Sequence, residues 1–438
     1  MSLINWLDTR ADSFNADFTR LLEIQQENQN DVREVVRDII QRVRTEGDTA
    51  VVALSRQFDR LNASSVAELE IGSGRMAQAV ETLRPEVRDA LEQSIARVRA
   101  YHEAQKQQCG QAAEWSYQDE HGNTLGQLVR GMERVGIYAP GGKAAYPSTI
   151  IMTAVPARVA GVEELILVVP TPDGQINEVL LAAASLCGVD RMFTIGGAQA
   201  VAALAYGTET IPRVDKIVGP GNVYVAMAKE LVFGDVGIDM IAGPSEVVIV
   251  ADESADPQWL VMDLFAQAEH DELAQSILVS TSAGLLEQVD RLISEKVPQM
   301  RRTSIISQSL GSRGALILAD SDEECAQIVN RIAPEHLELA LADPAAFMPR
   351  VRHAGAIFLG HHSAEVVGDY SAGPSHVLPT SGTARFASPL GVYDFQVRTS
   401  VIHCSPAGAV ALSRDAAVLA WEEGLEAHAL SAEFRTTG

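Results

Sequence analysis

The feature that most constrains the fold is an alternation of short apolar runs with helix-length segments, which begins at Val135. The runs are rich in Val, Ile and Leu, and Gly or Pro residues separate them from the segments that follow. This alternation is typical of βα units, which build a parallel sheet with helices on its faces. The predicted strands are 165–169, 192–195 and 216–218, and the helices that follow them lie near 176–187, 198–205 and 222–232.

A second α/β unit is predicted further along the chain. A strand at 246–250 leads into a helix for which Asp256 is a suitable N-cap and Pro257 a suitable first residue. Later strands are expected at 277–279, 315–318 and 356–359. The chain has 438 residues, which exceeds the length at which one core keeps growing, so two or more packed units are expected.

The regions that flank these units have a different character. Residues 25–109 carry apolar side chains at helical spacing and are predicted to be mostly helical. Beyond about Ser381 the strand and helix rhythm is lost, and the chain closes on a predicted helix near 414–434. This last region is expected to be an appendage to the second unit.

Composition excludes several classes of partner. The 58 acidic residues outnumber the 34 basic residues, and the resulting net charge of -24 repels phosphate backbones and anionic lipid surfaces, so neither nucleic acid nor a membrane is expected as a partner. The longest nearly apolar run, 179–189, is too short to span a bilayer, and the N-terminus has no signal-peptide core. The four scattered cysteines form neither a disulfide framework nor a zinc knuckle, which favours a reducing cytoplasm.

Three small-residue turns stand at predicted strand-to-helix junctions. They are Tyr138 to Gly142, Gly196 to Gln199 and Gly219 to Asn222. Such turns lie at the carboxyl edge of a parallel sheet, where glycine lets the backbone approach a phosphate. The alternative is that these glycines only form tight turns, and none of the turns matches the Gly-x-Gly-x-x-Gly fingerprint.

Polar residues form three further candidates for a site. Gln267 and His270 are three residues apart, so on a helix they share one face and can bind one ion. An amide oxygen and an imidazole are suitable ligands for zinc, cobalt or manganese. The alternative is a solvated helix face. Glu335 and His336 follow Pro334, which predicts irregular backbone on which the two side chains point in different directions. This arrangement is suited to acid-base catalysis in two steps. The alternative is an ordinary surface loop.

The third candidate is the glycine-bracketed loop 368–376, which presents the carboxylate of Asp369 and the imidazole of His376. An aspartate in such a loop is also a common turn former. Glu423 and His428 on the last predicted helix are five residues apart, which places them about 140° apart on a regular helix. Helical geometry alone therefore does not make these two residues neighbours.

Together these segments resemble the histidinol dehydrogenase family, and the resemblance runs over nearly the whole chain. The matching segments are GIYAPGG at 136–142, GGAQA at 196–200, GPGN at 219–222, DMIAGPSE at 239–246, QAEH at 267–270, APEHL at 333–337 and SHVLP at 375–379. Their order and spacing are specific to that family.

The resemblance implies roles for individual residues. It implies that Gln267, His270, Asp369 and His428 bind one zinc ion per subunit, that Glu335 and His336 are the catalytic acid-base pair, and that Tyr138, Gln199 and Asn222 contact NAD. The substrate is then bound by Ser245, Gln267, His270, His336, Asp369, His376, Glu423 and His428. The family is also a homodimer in which the C-terminal arm of one subunit completes the site of the other, so Glu423 and His428 are expected to act on the partner's site.

The expected fold is α/β, with two Rossmann-like parallel-sheet domains of incomplete doubly wound type and small N- and C-terminal arms. The expected parts are an N-terminal arm at 1–24, a discontinuous α/β domain at 25–137 and 244–381 with the metal and acid-base residues, an inserted NAD-side domain at 138–243, and a C-terminal dimerisation arm at 382–438.

The implied function is the NAD-dependent four-electron oxidation of L-histidinol to L-histidine through L-histidinal, in the last steps of histidine biosynthesis. The nearest alternative is a relative that oxidises another small alcohol, such as a sulfonated propanediol. A nucleotide-binding sensor leaves Glu335 and His336 without a purpose, and a metal-dependent hydrolase leaves the glycine turns unexplained. A covalent route requires a reactive cysteine, for which Cys404 is the least easily dismissed.

Overall fold

The structure, a computed structural model, describes residues 2–23, 29–109, 114–141 and 146–436. The strands are β1 Asn5–Asp8, β2 Glu70–Ile71, β3 Trp115–Gln118, β4 Thr124–Gly131, β5 Arg134–Tyr138, β6 Glu164–Val168, β7 Arg191–Phe193, β8 Lys216–Val218, β9 Gly237–Ile238, β10 Glu246–Ala251, β11 Gln275–Ser280, β12 Ala315–Leu318, β13 His336–Ala340, β14 Ala356–Leu359 and β15 Gln396–His403.

The helices alternate with these strands through most of the chain. They are α1 Phe14–Leu22, α2 Gln29–Glu46, α3 Asp48–Asp59, α4 Ser73–Thr82, α5 Pro85–Gln108, α6 Pro147–Ala160, α7 Glu178–Leu186, α8 Gly197–Tyr206, α9 Val223–Val232, α10 Pro257–Ala268, α11 Ala283–Lys296, α12 Thr303–Arg313, α13 Asp322–Ile332, α14 Pro344–Phe347, α15 Glu365–Tyr370, α16 Pro406–Glu422 and α17 Glu426–Glu433.

The first sheet has the strand order β2-β7-β6-β5-β8-β9 and is parallel except where β2 pairs with β7. Successive residues of β6 face opposite sides: Leu165 and Leu167 pack with α5, α6 and α7, while Ile166 and Val168 pack with α2, α3, α8 and α9. Both faces are therefore covered by helices, which explains why the strand reads as a continuous apolar run.

The second sheet has the order β1-β12-β11-β10-β13-β14, and every pairing in it is parallel. Helices α10, α11 and α12 cover one face, and α1 and α13 cover the other. In each sheet the strand order reverses once, between β5 and β8 in the first and between β10 and β13 in the second. The predicted fold class, with two doubly wound parallel sheets, is confirmed.

The packing of the N-terminal half differs from the expected grouping. Helix α2 packs on α8 and α9, α4 packs on α7, and α5 packs on α6, so residues 29–108 cover the first sheet rather than joining residues 244–381. Strand β1, expected in a separate arm, pairs with β12 at the edge of the second sheet. Apolar spacing shows that a helix has a buried face but does not show which sheet that face covers.

The C-terminal region combines a strand and two helices. Strand β15 pairs antiparallel with β4 over its whole length, and β4 in turn pairs with β3 to complete a three-stranded sheet. The single closing helix that we expected is two helices, because the chain breaks at Gly424, where φ is +73°. No helix in the described residues has both the length and the apolar character needed to cross a membrane.

Candidate functional site

Two glycine turns meet where the strand order of the first sheet reverses. Strand β5 ends at Tyr138, and β8 is followed by Gly219, whose φ is +105°. A side chain at Gly219 is sterically excluded, since its Cβ would lie 2.1 Å from the carbonyl oxygen of Tyr138. Close approach of the two turns thus requires glycine, and the carboxyl end of a switch point is where open α/β sheets bind ligands.

The second turn, at Gly196 and Gly197, packs on the segment after β6. A Cβ at Gly196 would lie 2.3 Å from the Cβ of Pro170, and one at Gly141 would lie 2.2 Å from the carbonyl oxygen of Pro170. These glycines therefore allow the turns to pack closely together. This agrees with the alternative interpretation that the glycines only form tight turns. Gly142, which belongs to the first predicted turn, lies outside the described residues.

The three residues implied to contact NAD have different environments. The buried hydroxyl of Tyr138 accepts a hydrogen bond from the backbone N–H of Gly197 at 3.1 Å, and burial raises the pKa of this phenol to about 12. Gln199 is buried in α8 behind the same turn. Asn222 is exposed and caps α9, since its Oδ1 accepts from the backbone N–H groups of Tyr224 and Val225 at 3.1 and 3.2 Å.

The acid-base candidates lie at the amino end of the second sheet. Helix α13 ends at Ile332, Ala333 takes a left-handed conformation with φ of +52°, and His336 is already the first residue of β13. The prediction of irregular backbone is therefore wrong for His336. Glu335 is buried, and its Oε2 accepts from the backbone N–H of Glu246 at 2.9 Å. Burial raises the pKa of Glu335 well above its usual range.

The ring of His336 is held in one tautomer by its neighbours. Its Nδ1 lies 3.0 Å from the backbone carbonyl oxygen of Glu246, which can only accept, so Nδ1 carries the proton. Burial lowers the pKa of His336 to about 4, so the ring is neutral and Nε2 has a free lone pair. That Nε2 lies 4.0 Å from Oδ1 of Asp369.

The side chains of Gln267 and His270 are in contact, but the two residues do not lie on the same helix. Helix α10 ends at Ala268, and His270 lies in the following turn, where its backbone N–H donates to the carbonyl oxygen of Gln267 at 3.2 Å. The acceptors around Gln267 orient its buried amide: Nε2 donates to Oε1 of Glu365 at 3.0 Å, and Oε1 accepts from Nδ1 of His270 at 3.1 Å. The second nitrogen of His270, Nε2, is then left as the ligand atom for a metal.

Asp369 belongs to the short helix α15 rather than to the loop that we expected. Its Oδ1 lies 3.7 Å from Nδ1 of His376, in addition to the approach to His336. Burial alone raises the pKa of Asp369, but the imidazoles of His376, His336 and His270 together lower it. Asp369 is therefore the charged centre of a group of three histidines.

Glu365 is a site residue that the sequence reasoning missed. It is buried on α15, and its Oε1 lies 3.6 Å from Nδ1 of His336. Burial raises the pKa of Glu365, and Asp369, Glu338 and Glu335 raise it further. The available signal was its position four residues before Asp369, which places both carboxylates on one face of a helix.

Ser245, Glu423 and His428 are less closely tied to this cluster. Ser245 is half-buried directly before β10, and its backbone carbonyl accepts from the N–H of Gln275 at 2.9 Å. Glu423, after α16, and His428, in α17, are exposed. Within the described part of the chain, neither side chain has a hydrogen bond or ion pair with the cluster.

The donor chemistry of the cluster fits a zinc-type ion. An amide oxygen, an imidazole nitrogen and a carboxylate come from Gln267, His270 and Asp369, which are three of the four ligands that the family resemblance implies. A second possible set is His336, Glu365 and Asp369, whose ligand atoms all lie within 4.8 Å of one another. Asp369 is common to both sets.

Two of the four cysteines are buried and two are exposed. Burial raises the pKa of Cys187 and of Cys325 to about 12, while Cys404 is exposed after β15. No disulfide joins the four cysteines, all of which lie in the described residues. Core packing accounts for Cys187 and Cys325.

The fold and the site define a class. The chain is an α/β protein of two mainly parallel sheets, with a buried cluster of carboxylates and histidines that could hold a metal ion at the amino end of one sheet and a glycine-lined switch point at the carboxyl end of the other. Residues 239–245 join these two edges directly. The model of the histidinol dehydrogenase family matches residues 22–436.

Individual relatives agree with that match. The histidinol dehydrogenases of Pseudomonas syringae pv. tomato and Dechloromonas aromatica are each 56% identical to this chain, over 98% and 99% of it and over 95% and 99% of their own lengths. The crystal structure of a histidinol dehydrogenase from Elizabethkingia anophelis is similar over 100% of this chain and 99% of its own, with a TM-score of 0.92 at 31% identity. The chain belongs to the histidinol dehydrogenase family, a family of oxidoreductases.

Proposed function

We propose that this chain oxidises L-histidinol to L-histidine through L-histidinal in the last steps of histidine biosynthesis, with two NAD molecules used in succession and one zinc ion per subunit. We place this homodimeric enzyme in the cytoplasm. The observation that carries the proposal is the buried neutral His336, whose unprotonated Nε2 faces Asp369, one of the three potential metal ligands. Membership of the histidinol dehydrogenase family selects the substrate.

His336 is the base for the alcohol. Its Nδ1 is committed to the carbonyl of Glu246, so only Nε2 can accept the hydroxyl proton as the first hydride leaves the carbon. The hydrogen bond to Glu246 fixes the ring orientation during that transfer. Burial excludes water from the ring and keeps its ground state neutral.

Glu335 is the base for the second half of the reaction. Its buried carboxyl group has a raised pKa, which makes its carboxylate a stronger base for a water molecule that attacks the aldehyde. The hydrogen bond from the N–H of Glu246 holds the carboxyl group beside His336, at 3.7 Å from its Nδ1. The two adjacent residues thus divide the two proton-transfer tasks.

Gln267, His270 and Asp369 would hold the zinc ion, with His428 of a second subunit as the fourth ligand. The ion would bind and orient the substrate rather than act chiefly on its hydroxyl group. The observation that supports this use is the hydrogen bond from His270 Nδ1 to Gln267, which leaves the other ring nitrogen available as a ligand.

NAD would bind at the switch point between β5 and β8 and accept the hydride. Gly219 is buried at this point, where a Cβ would meet the carbonyl oxygen of Tyr138, and the N-terminus of α9 follows at the exposed Asn222. Tyr138 and Gln199 support the neighbouring turn from below. The positive end of the dipole of α9 favours the anionic pyrophosphate, although Asn222 already accepts from the N–H groups of Tyr224 and Val225.

The C-terminal arm would complete the site of a partner subunit. The helices α16 and α17 and the residues that flank α17 carry several exposed apolar side chains, which is unusual for a surface that stays in water. These side chains are Leu412, Val418, Leu419, Trp421, Leu425 and Phe434. Glu423 and His428 lie among these side chains. Within the described residues, neither forms a hydrogen bond or an ion pair with the cluster of its own subunit.

Formation of NADH from L-histidinol by the purified chain is the decisive experiment. We expect two NADH per histidinol, loss of activity after chelation, and recovery when zinc returns. The absence of NADH with zinc-loaded protein would refute the proposal. A parallel assay with a sulfonated propanediol tests the alternative substrate, which the names of the relatives do not favour.

A further inference from the structure

A buried ion pair lies directly beneath the turn after β8. The ammonium of Lys229, from α9, contacts Oδ1 of Asp239, which follows β9. Their side chains are only 3% and 1% exposed. This pair belongs neither to the metal-binding cluster nor to the acid-base pair.

Both partners bind the backbone of one residue, Gly219. The N–H of Gly219 donates to Oδ2 of Asp239 at 2.7 Å, and Nζ of Lys229 donates to the carbonyl oxygen of Gly219 at 2.9 Å. The two polar groups of this glycine are thereby fixed from opposite sides. Because the φ of Gly219 is +105°, the residue depends on such contacts to define one conformation among the many open to glycine.

Stability alone is a poor explanation for such a pair. Removing two charges from water costs free energy that their attraction often fails to recover, and apolar pairs of similar volume are frequently as stable. A buried ion pair does, however, specify geometry, because each charged group requires particular partners at particular positions. The geometry specified here is that of the turn from Gly219 to Asn222.

That turn occupies the switch point of the first sheet. Gly219 contacts the carbonyl oxygen of Tyr138 at the end of β5, and Asn222 begins α9, on which Lys229 lies two turns further along. The position of Gly219 therefore determines where the N-terminus of α9 lies relative to the end of β5.

We propose that Lys229 and Asp239 are positioning residues for the nicotinamide dinucleotide, which they affect by fixing Gly219 and the N-terminus of α9. The inference rests on the proposed function, in which NAD binds at this edge. Neither side chain touches the nucleotide, since both are buried beneath the turn. The pair acts by presenting a preformed turn, so that binding does not have to order it.

The chain supplies a matched control at the other end of the same strand. Lys216, the first residue of β8, donates from Nζ to the carbonyl oxygen of Asp394 at 2.7 Å and lies 3.5 Å from Oδ1 of that residue. The side chains are 12% and 26% exposed. This second lysine and aspartate pair lies at the amino end of β8, away from the switch point.

The test compares Lys229→Met with Lys216→Met in steady-state kinetics with the zinc-loaded enzyme. We expect Lys229→Met to raise KM for NAD about tenfold or more while KM for histidinol changes by less than about twofold. Lys216→Met should leave both constants within about twofold of the wild-type values. Lys229→Arg should recover part of the NAD affinity, because its guanidinium can still bind Asp239.

A double variant, Lys229→Met/Asp239→Leu, guards against simple unfolding of the single variant. It removes both buried charges, so the fold should be retained while the restraint on Gly219 is lost. Circular dichroism and melting temperature establish that the variants are folded. An unchanged KM for NAD in the folded double variant, or an equal rise in Lys216→Met, would overturn the inference. Failure of the wild-type enzyme to form NADH would instead refute the proposed function.

Discussion

The Nδ1 atom of His336 lies 3.0 Å from the backbone carbonyl oxygen of Glu246, and the backbone N–H of the same Glu246 binds Oε2 of Glu335. The backbone of one residue at the start of β10 therefore binds both of the proposed acid-base residues. The parallel pairing of β10 with β13, which sets Val247 opposite His336, places Glu246 where both side chains can reach it. The proposed acid-base pair is thus positioned by the sheet itself rather than by a flexible loop.

Replacement of Glu335 by Gln should separate the two half-reactions. The amide oxygen of the new side chain can still accept from the N–H of Glu246, so the local structure should persist while the base is lost. We expect the oxidation of histidinal to fall by about a hundredfold or more, and the oxidation of histidinol to fall much less. Equal losses in the two half-reactions, each measured with its own substrate in single-turnover experiments, would contradict the role given to Glu335.

Glu365 should control the orientation of the Gln267 amide. Glu365→Leu removes the nearest acceptor for Nε2 of Gln267 and leaves the carbonyl oxygen of Glu246 at 3.3 Å. The amide is then less firmly held with its oxygen toward the proposed ion, and zinc affinity should fall by about 10- to 100-fold. Glu365→Gln keeps an acceptor oxygen and should lose much less. Competition with a zinc-binding indicator measures both. Equal loss in the two variants would show instead that Glu365 binds the ion directly through its charge.

The buried pair of Glu338 and Asp263 should make stability depend on pH. Burial, followed by the proximity of Asp263, raises the pKa of Glu338 from 4.5 to about 8. The folded state therefore retains a proton that the unfolded state releases, so stability present below about pH 4.5 is lost as the pH rises toward 8.

Glu338→Gln removes this titration and keeps an oxygen for the N–H of Glu365. The melting temperature of the variant relative to wild type should therefore increase between about pH 5 and pH 8. The exposed Glu295→Gln serves as the control and should show no such trend. A constant difference between Glu338→Gln and wild type across this range would argue against a protonated Glu338.

Cys404 should be dispensable. Its thiol is exposed after β15, and the acid-base mechanism assigns it no step. We expect Cys404→Ser to retain turnover within about twofold of wild type at full zinc content. Loss of turnover with the metal still bound would require the acid-base mechanism to be replaced by a covalent one.

The sequence predicted the parallel sheets well because their strands are buried on both faces. Runs such as 165–168 are apolar throughout, and Gly or Pro residues mark their ends, so the signal is local. The assignment of the helices at 29–108 to a sheet was wrong for the opposite reason. The apolar spacing of an amphipathic helix shows that one face is buried, but it does not show which element of the tertiary structure packs against that face.

The site was predicted less completely than the fold. The predicted secondary structure was wrong for His270, which lies in a turn, and for Asp369, which lies in a helix. Helix ends and a six-residue helix such as α15 leave little periodicity in the sequence. Glu365 was missed since an isolated glutamate is usually solvated, and only the structure shows that this one is buried without a cation beside it among the described residues.

The exposed position of His428 leads to a test of the subunit arrangement. If His428 binds zinc in the partner's site, His428→Ala should lose zinc and activity while the melting profile of the zinc-free protein stays unchanged. Co-expression with Glu335→Gln then gives mixed dimers in which one site combines an intact Glu335 with an intact His428 from the other subunit. With random pairing, about a quarter of the wild-type capacity to form histidine should return, although each variant alone forms little histidine. If His428 acts within its own subunit, no mixed dimer contains an intact site, and the absence of recovered activity in purified mixed dimers would show this.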